Sequence, residues 1–139
     1  MKTIIAGTRG RRFNNSHLLA ALSASGFADQ ITEVVSGCEP TGVDALGETW
    51  AKQHGIPVAP FPADWAAFGQ SAGPRRNAQM AAYADALIAV WDGASRGTKD
   101  MIRNATDGGL KVFVWTPKTG GFVQQSGVTR KVVQPFAPP

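Results

Sequence analysis

Short apolar segments alternate with amphipathic segments along the first 115 residues, and this alternation limits the fold more than any other feature of the sequence. The strand candidates are short and apolar, and they span residues 3–7, 31–37, 56–62, 85–91 and 110–115. The helix candidates lie between them and span residues 16–26, 41–55, 74–83 and 98–107. Alternating strands and helices predict a three-layer α/β fold built on a five-strand, mostly parallel sheet.

Local signals predict where the helices begin and end. Ser16 is the predicted N-cap of the first helix, and Gly26 is its predicted stop. Thr41 is the predicted N-cap of the second helix, with Asp44 three residues further on. Pro74 occupies the favoured first position of the third helix.

The connection between the third strand and the third helix is longer than most loops. Residues 63–73 contain Trp65 and Phe68, so we expect this segment to pack over a neighbouring part of the molecule. Pro57 precedes it and predicts that the third strand lies at an edge of the sheet, because proline cannot donate to a ladder.

The charge and the cysteine count narrow the possible partners. The formal charge is +4, and Arg9, Arg11 and Arg12 lie together, which indicates a local anion site as readily as a nucleic-acid surface. Cys38 is the single cysteine, which excludes an intrachain disulfide and a zinc site with two thiolates from one chain. No segment resembles a signal peptide or a membrane span, so we expect a soluble, cytoplasmic protein without a membrane partner.

Three glycine-spaced loops follow strands, and they read "GTRGRR", "SGCEPTG" and "DGASRGT". In an open α/β sheet, ligands bind outside the carboxyl ends of the strands, where the strand order reverses. The order 3-2-1-4-5 would place that crevice between the first and fourth strands, beside the two most basic loops. The order 2-1-3-4-5 would place the crevice between the first and third strands, where the sequence offers fewer candidate binding residues. We therefore predict the order 3-2-1-4-5.

The last two of these loops run directly into helices. A helix N-terminus presents unpaired N–H groups and a partial positive charge, and glycine lets an oxyanion approach the backbone closely. Arg96 and Lys99 oppose the dipole of the helix that they begin, which is easier to explain if an anion binds there. The loops predict a phosphate cradle, although ordinary turns and helix caps would account for the same residues.

Several side chains near these loops have candidate roles. Arg9 is expected to contact a phosphate, whereas Arg76 and Asn77 either hold a phosphate or ribose or lie exposed on an early helical turn. Asp92 either accepts hydrogen bonds from ribose hydroxyls or caps a turn with Gly93.

The remaining candidate site residues that sequence patterns indicate are two tryptophans and an aspartate. Trp65 is expected to stack on a base, whereas Trp91 is expected to pack in the fold. Asp44 is interpreted as a helix cap that also faces the ligand.

Six motifs in a fixed order resemble one known family. The segments "IIAGTR", "VVSGCEPTGVDALGE", "FPADW", "AGPRRN", "ADALIAVWDGASRGT" and "LKVFV" look like the YspA-type branch of the SLOG superfamily. The resemblance covers residues 2 to about 115 and implies a Rossmann-like fold. The superfamily includes the lonely-guy phosphoribohydrolases, which cleave the N-glycosidic bond of nucleoside 5′-monophosphates, and the protein DprA, which binds single-stranded DNA.

The resemblance implies a set of site residues. "GASRGT" takes the place of the phosphate loop of the lonely-guy enzymes, and Arg76 stands where their catalytic arginine does. The position of their glutamate falls on Met101 here, so the neighbouring Asp100, or else Asp44, Glu48 or Asp92, would have to supply a carboxylate. Together with the loops above, the candidate ligand-binding residues are Gly7, Arg9, Gly37, Gly42, Asp44, Trp65, Arg76, Asn77, Asp92, Gly93, Ser95, Arg96, Gly97 and Thr98.

Three functions follow as hypotheses. The first is a sensor or sequestering module for a nucleotide-derived small molecule, with a setting in phage or bacterial defence implied by the resemblance. The second is an N-glycosidic-bond hydrolase that uses Arg76, Asp44 and Asp100, for which Arg76→Ala would remove turnover with little change in melting temperature. The third is binding of single-stranded nucleic acid. The resemblance implies a homodimer or higher homo-oligomer, and no cofactor and no metal are expected.

The last part of the chain is set apart from this unit. We expect residues 1–117 to form the nucleotide-binding domain and residues 118–139 to form a C-terminal extension. This extension is predicted to be either a hairpin about Ser126 and Gly127 or a mobile tail.

Overall fold

A computed structural model of the chain describes residues 1–118, 120 and 122–124. Its strands are β1 (Lys2–Gly7), β2 (Glu33–Ser36), β3 (Val58–Pro60), β4 (Ala86–Val90), β5 (Lys111–Trp115) and β6 (Phe122–Gln124). Its helices are α1 (Asn15–Ser25), α2 (Val43–Gln53), α3 (Trp65–Phe68), α4 (Ala72–Tyr83) and α5 (Arg96–Asp107), with 3₁₀ turns at Ala28–Gln30 and Gly69–Ser71. Every predicted strand and helix is present, with bounds that shift by a few residues.

The strands form one sheet in the order β3-β2-β1-β4-β5-β6. The first five strands pair in parallel, which confirms the predicted order 3-2-1-4-5 and the edge position of β3. β6 pairs antiparallel with β5 and extends the same sheet. The hairpin predicted about Ser126 and Gly127 lies outside the described residues, and the division of the chain at residue 117 stays a prediction.

Helices cover both faces of the sheet. On one face α1 and α2 pack over a core that includes Ile5 and Leu18, and on the other face α4 and α5 pack over Ile4, Met80 and Met101. Ile4 and Ile5 are both fully buried because successive side chains of a strand point to opposite faces. This covering of both faces explains why the strands are continuous apolar runs instead of alternating ones.

The first helix begins earlier than predicted, because Asn14 and not Ser16 is its N-cap. The Asn14 side chain accepts hydrogen bonds from the backbone N–H groups of Ser16 (3.0 Å) and His17 (3.4 Å), and His17 Nδ1 accepts from the Asn14 N–H (3.0 Å). Phe13 and Leu18, on either side of this capping box, are buried in the same core cluster. This apolar pair is the staple that fixes where the helix starts. Gly26 ends α1 in a left-handed conformation, as predicted.

The other helices also start at positions set by tertiary contacts. Gly42, with φ of 81°, is the N-cap of α2 in place of Thr41, whose hydroxyl accepts a hydrogen bond from the Gly10 N–H (3.1 Å). α4 begins two residues before Pro74, because the 3₁₀ turn Gly69–Ser71 continues into it. α5 begins at Arg96, two residues before the predicted start at Thr98.

The long connection after β3 contains a short helix that contacts α4. Asp64 caps α3 by accepting a hydrogen bond from the Ala67 N–H (3.0 Å). The Trp65 ring lies close to the backbone of Gly73, where an added Cβ would be 3.2 Å from the indole. This contact places Trp65 beside the first turn of α4, although Trp65 (45%) and Phe68 (46%) both stay largely exposed, so the predicted packing over a neighbouring part of the molecule stays a prediction.

Gly7 allows the closest backbone approach in the sheet. An added Cβ at this position would lie 2.1 Å from the Val90 carbonyl oxygen and 2.7 Å from Cγ2 of Val43. Both contacts are far shorter than van der Waals distances, and the first involves backbone that cannot rotate away. Gly7 therefore sets how closely the ends of β1 and β4 approach each other and α2.

We expect Gly7→Ala to lower the free energy of unfolding by at least about 2 kcal/mol, because the added methyl forces the two strands apart. The measurement is urea denaturation followed by circular dichroism. Gly97→Ala is the matched control, since an added Cβ there meets no heavy atom within 4 Å. Equal midpoints for both variants would contradict the assigned role of Gly7.

Candidate functional site

A cleft of about 540 Å³ opens at the carboxyl end of β1. Its size lies within the range of roughly 300 to 1,000 Å³ that is usual for small-molecule sites. β1 contributes to its floor, and the loops after β1 and β2 together with α2, α3, α4 and α5 form its walls. The predicted site residues that line it are Gly7, Arg9, Asp44, Trp65, Arg76, Asn77, Ser95, Arg96, Gly97, Thr98 and Asp100.

Four predicted residues lie beside the cleft without lining it: Gly37, Gly42, Asp92 and Gly93. Glu39 lines it and was missed by the sequence analysis, as were Ala6, Gly73, Pro74 and Met80. Met101, which the resemblance places at the position of the lonely-guy glutamate, also lines the cleft. The only sequence signal for Glu39 is an acidic residue inside a loop of the type that binds anions. Met80 has no such signal, because apolar residues at helical spacing indicate a core.

No side-chain hydrogen bond caps the N-terminus of α5 where it meets the cleft. Ser95 occupies the N-cap position, but its hydroxyl donates to Asp92 Oδ1 (2.9 Å) and lies 3.1 Å from Thr8 Oγ1. The next residues, Arg96 and Gly97, are exposed and line the cleft. The unpaired N–H groups and the positive end of the helix dipole are therefore available to an anion.

Asp92 builds the loop that presents this helix end. Its Oδ1 accepts hydrogen bonds from the backbone N–H groups of Ala94 (2.8 Å) and Ser95 (2.8 Å), and these bonds lower the pKa of the Asp92 carboxyl. Gly93 lies in the turn with φ of 86°. Of the two interpretations of Asp92, the turn cap is the one that the structure shows.

Arg76 and Asn77 are buried, so the interpretation that places them exposed on the surface is wrong. Arg76 donates from Nη1 to the Gly37 carbonyl and from Nε to Asn77 Oδ1 (3.0 Å), and its Nη2 lies 3.7 Å from Glu39 Oε2. These partners hold the guanidinium against the loop after β2. Arg76→Ala would leave them unpaired, so a loss of stability is expected in place of an unchanged melting temperature.

Asn77 connects α4 to α5. Its Nδ2 donates to Asp100 Oδ2 (2.9 Å) and to the Gly97 carbonyl (3.3 Å). The other oxygen of Asp100 accepts from Arg103 Nη2 (2.9 Å). Both carboxylate oxygens of Asp100 therefore have partners within the protein, and the Asn77 amide sets the position of the first turn of α5.

Asp44 is a buried acid that lines the cleft. It is 7% exposed, and its Oδ2 accepts a hydrogen bond from the Glu39 N–H (3.2 Å). Burial raises the pKa of Asp44 to about 6, against the opposing effects of that hydrogen bond and of the Arg76 charge. Gly37 makes this packing possible, because an added Cβ would lie 2.7 Å from Arg76 Nη1 and 2.9 Å from Asp44 Oδ2.

Arg9, Glu39 and Trp65 form the outer wall. Arg9 Nη2 lies 3.2 Å from Glu39 Oε2, and the Arg9 guanidinium carbon lies 5.6 Å from the centroid of the Trp65 ring. Trp65 is 45% exposed, which is unusual for so large an apolar side chain. Part of the Trp65 side chain is therefore accessible from the cleft, although the Arg9 guanidinium lies over the ring.

Two observations disfavour a metal site and a reactive cysteine within the described residues. Within residues 1–118, 120 and 122–124, no group of three His, Cys, Asp or Glu side chains is arranged to hold a metal ion. Burial raises the pKa of the Cys38 thiol, which disfavours the reactive thiolate. None of the helices in the described segments is both long and apolar enough to cross a bilayer.

Comparisons with known proteins agree with the fold. Residues 1–68 match the model of the YspA, cpYpsA-related SLOG family, which confirms the resemblance found in the sequence. The solved structure of DNA processing protein A (DprA) from Streptococcus pneumoniae is similar, with a TM-score of 0.60 and 15% identity. The match covers 86% of this chain and 53% of that chain, so this chain spans about half the length of DprA. A search of curated proteins finds no match.

The pKa of Asp44 predicts how the stability depends on pH. The folded protein holds this proton with a pKa of about 6, against an ordinary value of 3.8. The stability that the protonated group contributes is therefore complete below about pH 4 and is lost as the pH rises through 6. Asp44→Asn cannot ionise, so its stability relative to wild type should rise by up to roughly 3 kcal/mol between pH 4 and pH 7.5.

Urea denaturation at a series of pH values measures this difference. Asp107→Asn, at an exposed aspartate at the end of α5, is the control and should show no such change. A constant difference between Asp44→Asn and wild type across this range would contradict the assignment.

Proposed function

We propose that this SLOG-type chain binds a nucleotide-derived small molecule in the cleft, with a phosphate group at the N-terminus of α5. The observation that carries the proposal is the uncapped first turn of α5, which opens into the cleft beside Arg96 and Gly97. An anion there would satisfy backbone N–H groups, lie at the positive end of the helix dipole and pair with a guanidinium.

Two other long helices have a partner at their first turn. The Asn14 side chain caps α1, and the first N–H of α2, at Val43, donates to the Thr8 carbonyl (3.3 Å). The first turn of α5 has neither kind of partner among the described residues, which supports a phosphate site at its N-terminus.

Trp65 fits the rest of a nucleotide. It lines the cleft and is 45% exposed, and a base stacked on it would gain a favourable energy of roughly 1 to 3 kcal/mol. The cleft has room for a base, a sugar and a phosphate. A sensor or sequestering role, with a defence setting inferred from the family alone, needs only this binding.

Turnover is the second candidate, and Asp44 favours it. Hydrolysis of an N-glycosidic bond needs an acid that donates a proton to the departing base while water adds to the sugar carbon. Asp44 lines the cleft and has its pKa raised to about 6, which suits such an acid. Asp100 is less suited because both of its oxygens have protein partners, and Met101 has no acidic group.

The experiment that separates these functions is a native mass-spectrometry time course. The protein is mixed with nucleoside 5′-monophosphates, ADP-ribose, NAD and cyclic nucleotides. A ligand retained at its intact mass supports the binding function, and release of free base supports hydrolysis. A single-stranded oligonucleotide, bound with a steep salt dependence while every small ligand fails, would overturn the proposal in favour of nucleic-acid binding.

The phosphate position predicts the effect of two variants. Arg96→Gln is expected to weaken nucleotide binding roughly tenfold, because it removes a charge-assisted contact. Gly97→Ala is expected to weaken binding by a similar or larger factor, because it adds a methyl beside the open helix end. Lys99→Gln is the matched control, since this substitution also removes one positive charge from α5 but changes a residue that does not line the cleft.

Isothermal titration calorimetry with the nucleotide selected above measures these affinities. Equal weakening by Lys99→Gln and Arg96→Gln would show a diffuse charge effect and would contradict a phosphate site in the cleft.

The hydrolase candidate predicts that Asp44→Asn abolishes base release and preserves nucleotide binding. The reason is that asparagine keeps the size of the side chain and loses the transferable proton. Base release is followed by liquid chromatography, with Asp100→Asn as the comparison that should retain most of the activity. Full base release by Asp44→Asn would remove Asp44 from the reaction.

A further inference from the structure

The lining of the cleft includes two groups of opposite chemistry. The first turn of α5 and Arg96 suit an anion, whereas Glu39 and Asp44 contribute two carboxyl groups. A ligand that contacts both groups therefore needs a phosphate and hydrogen-bond donors.

Glu39 is held in place and keeps one oxygen available. Its carboxylate makes its closest approaches to Arg9 (3.2 Å) and Arg76 (3.7 Å) through Oε2, and its backbone N–H donates to Asp44. Oε1 accepts no hydrogen bond from any residue in the described part of the chain. Since each carboxylate oxygen can accept two hydrogen bonds, a ligand hydroxyl would find a free, charged acceptor at a defined position.

The position of Glu39 fits the sugar of a nucleotide. Arg9 contacts both the Glu39 carboxylate and the Trp65 ring, so the acceptor lies next to the surface on which a base would stack. In a nucleotide the sugar connects the base to the phosphate, and its hydroxyls are the only donors on it. A carboxylate that accepts from ribose hydroxyls is a recurrent arrangement in nucleotide sites of α/β proteins.

We propose that Glu39 selects a ribonucleotide over a deoxyribonucleotide by accepting hydrogen bonds from the ribose hydroxyls through Oε1. This inference rests on the proposed function, because it assumes that a nucleotide occupies the cleft. It assigns the ligand class as ribose-containing nucleotides. It also gives the ligand a direction, from Glu39 at the sugar to α5 at the phosphate.

The first test needs only the wild-type protein. Calorimetric titration compares the four ribonucleoside 5′-monophosphates with their 2′,3′-dideoxy counterparts. The ribose form of the preferred base should bind at least roughly tenfold more tightly, as expected for a lost hydrogen bond to a charged group. Equal affinities for the two forms would overturn the inference and leave the proposed function standing. Failure of every nucleotide to bind would overturn both.

Variants then assign the preference to Glu39. Glu39→Ala should weaken binding of the ribonucleotide and leave the dideoxy form bound as tightly as before or more tightly, because Arg9 and Arg76 lose a competing anion. Glu39→Gln keeps the side-chain volume and should reduce the preference in the same direction. A melting curve of each variant establishes that it is folded.

Glu33→Ala is the matched control, because Glu33 lies on β2 and contacts Tyr83 away from the cleft. It should retain the preference of the wild type. A general loss of structure would weaken binding of both forms, so only a change in their ratio supports Glu39. A ratio that both Glu39 variants retain would overturn the assignment.

Discussion

The close pairing of β1 with β4 is the constraint on which the rest of the molecule depends. Gly7 lies opposite Val90 in this pairing, and no larger residue leaves room for the Val90 carbonyl. From β1 the chain leaves to one side for β2 and β3, and it later returns on the other side for β4 and β5. The crossover helices therefore cover opposite faces of the sheet, and a crevice opens between them at the carboxyl end of β1.

A buried charge holds the walls of this crevice together. Arg76 contacts the loop after β2 at the Gly37 carbonyl and the Glu39 carboxylate. The next residue, Asn77, donates a hydrogen bond to Asp100 and so joins α4 to α5. A buried guanidinium is costly unless all its partners are present, so these contacts form as the protein folds. The walls are thereby held by contacts within the protein, and the exposed side chains that line the cleft are those of Arg9, Trp65, Pro74 and Arg96.

Local sequence signals located the elements well and their first residues less well. Asn14 and Ser16 are both good N-cap residues, and the choice between them depends on Phe13, which must reach the core beside Leu18. Similarly, Thr41 has the chemistry of a cap, but its hydroxyl bonds to the loop after β1. Such choices depend on contacts between segments that are distant in the chain, which a local pattern does not contain.

The sequence by itself determined the strand order, the edge position of β3 and the edge of the sheet at which the cleft opens. Apolar periodicity and glycine spacing are local properties, and the rules of α/β connection convert them into topology. Only the tertiary structure decided the roles of individual charged residues. Arg76 is buried and pairs with the protein, Asp92 builds a turn, and Glu39 lines the cleft with its Oε2 near Arg9 and Arg76. A charged side chain has the same chemistry in each setting, and its role is decided by which partners the fold brings within hydrogen-bond distance.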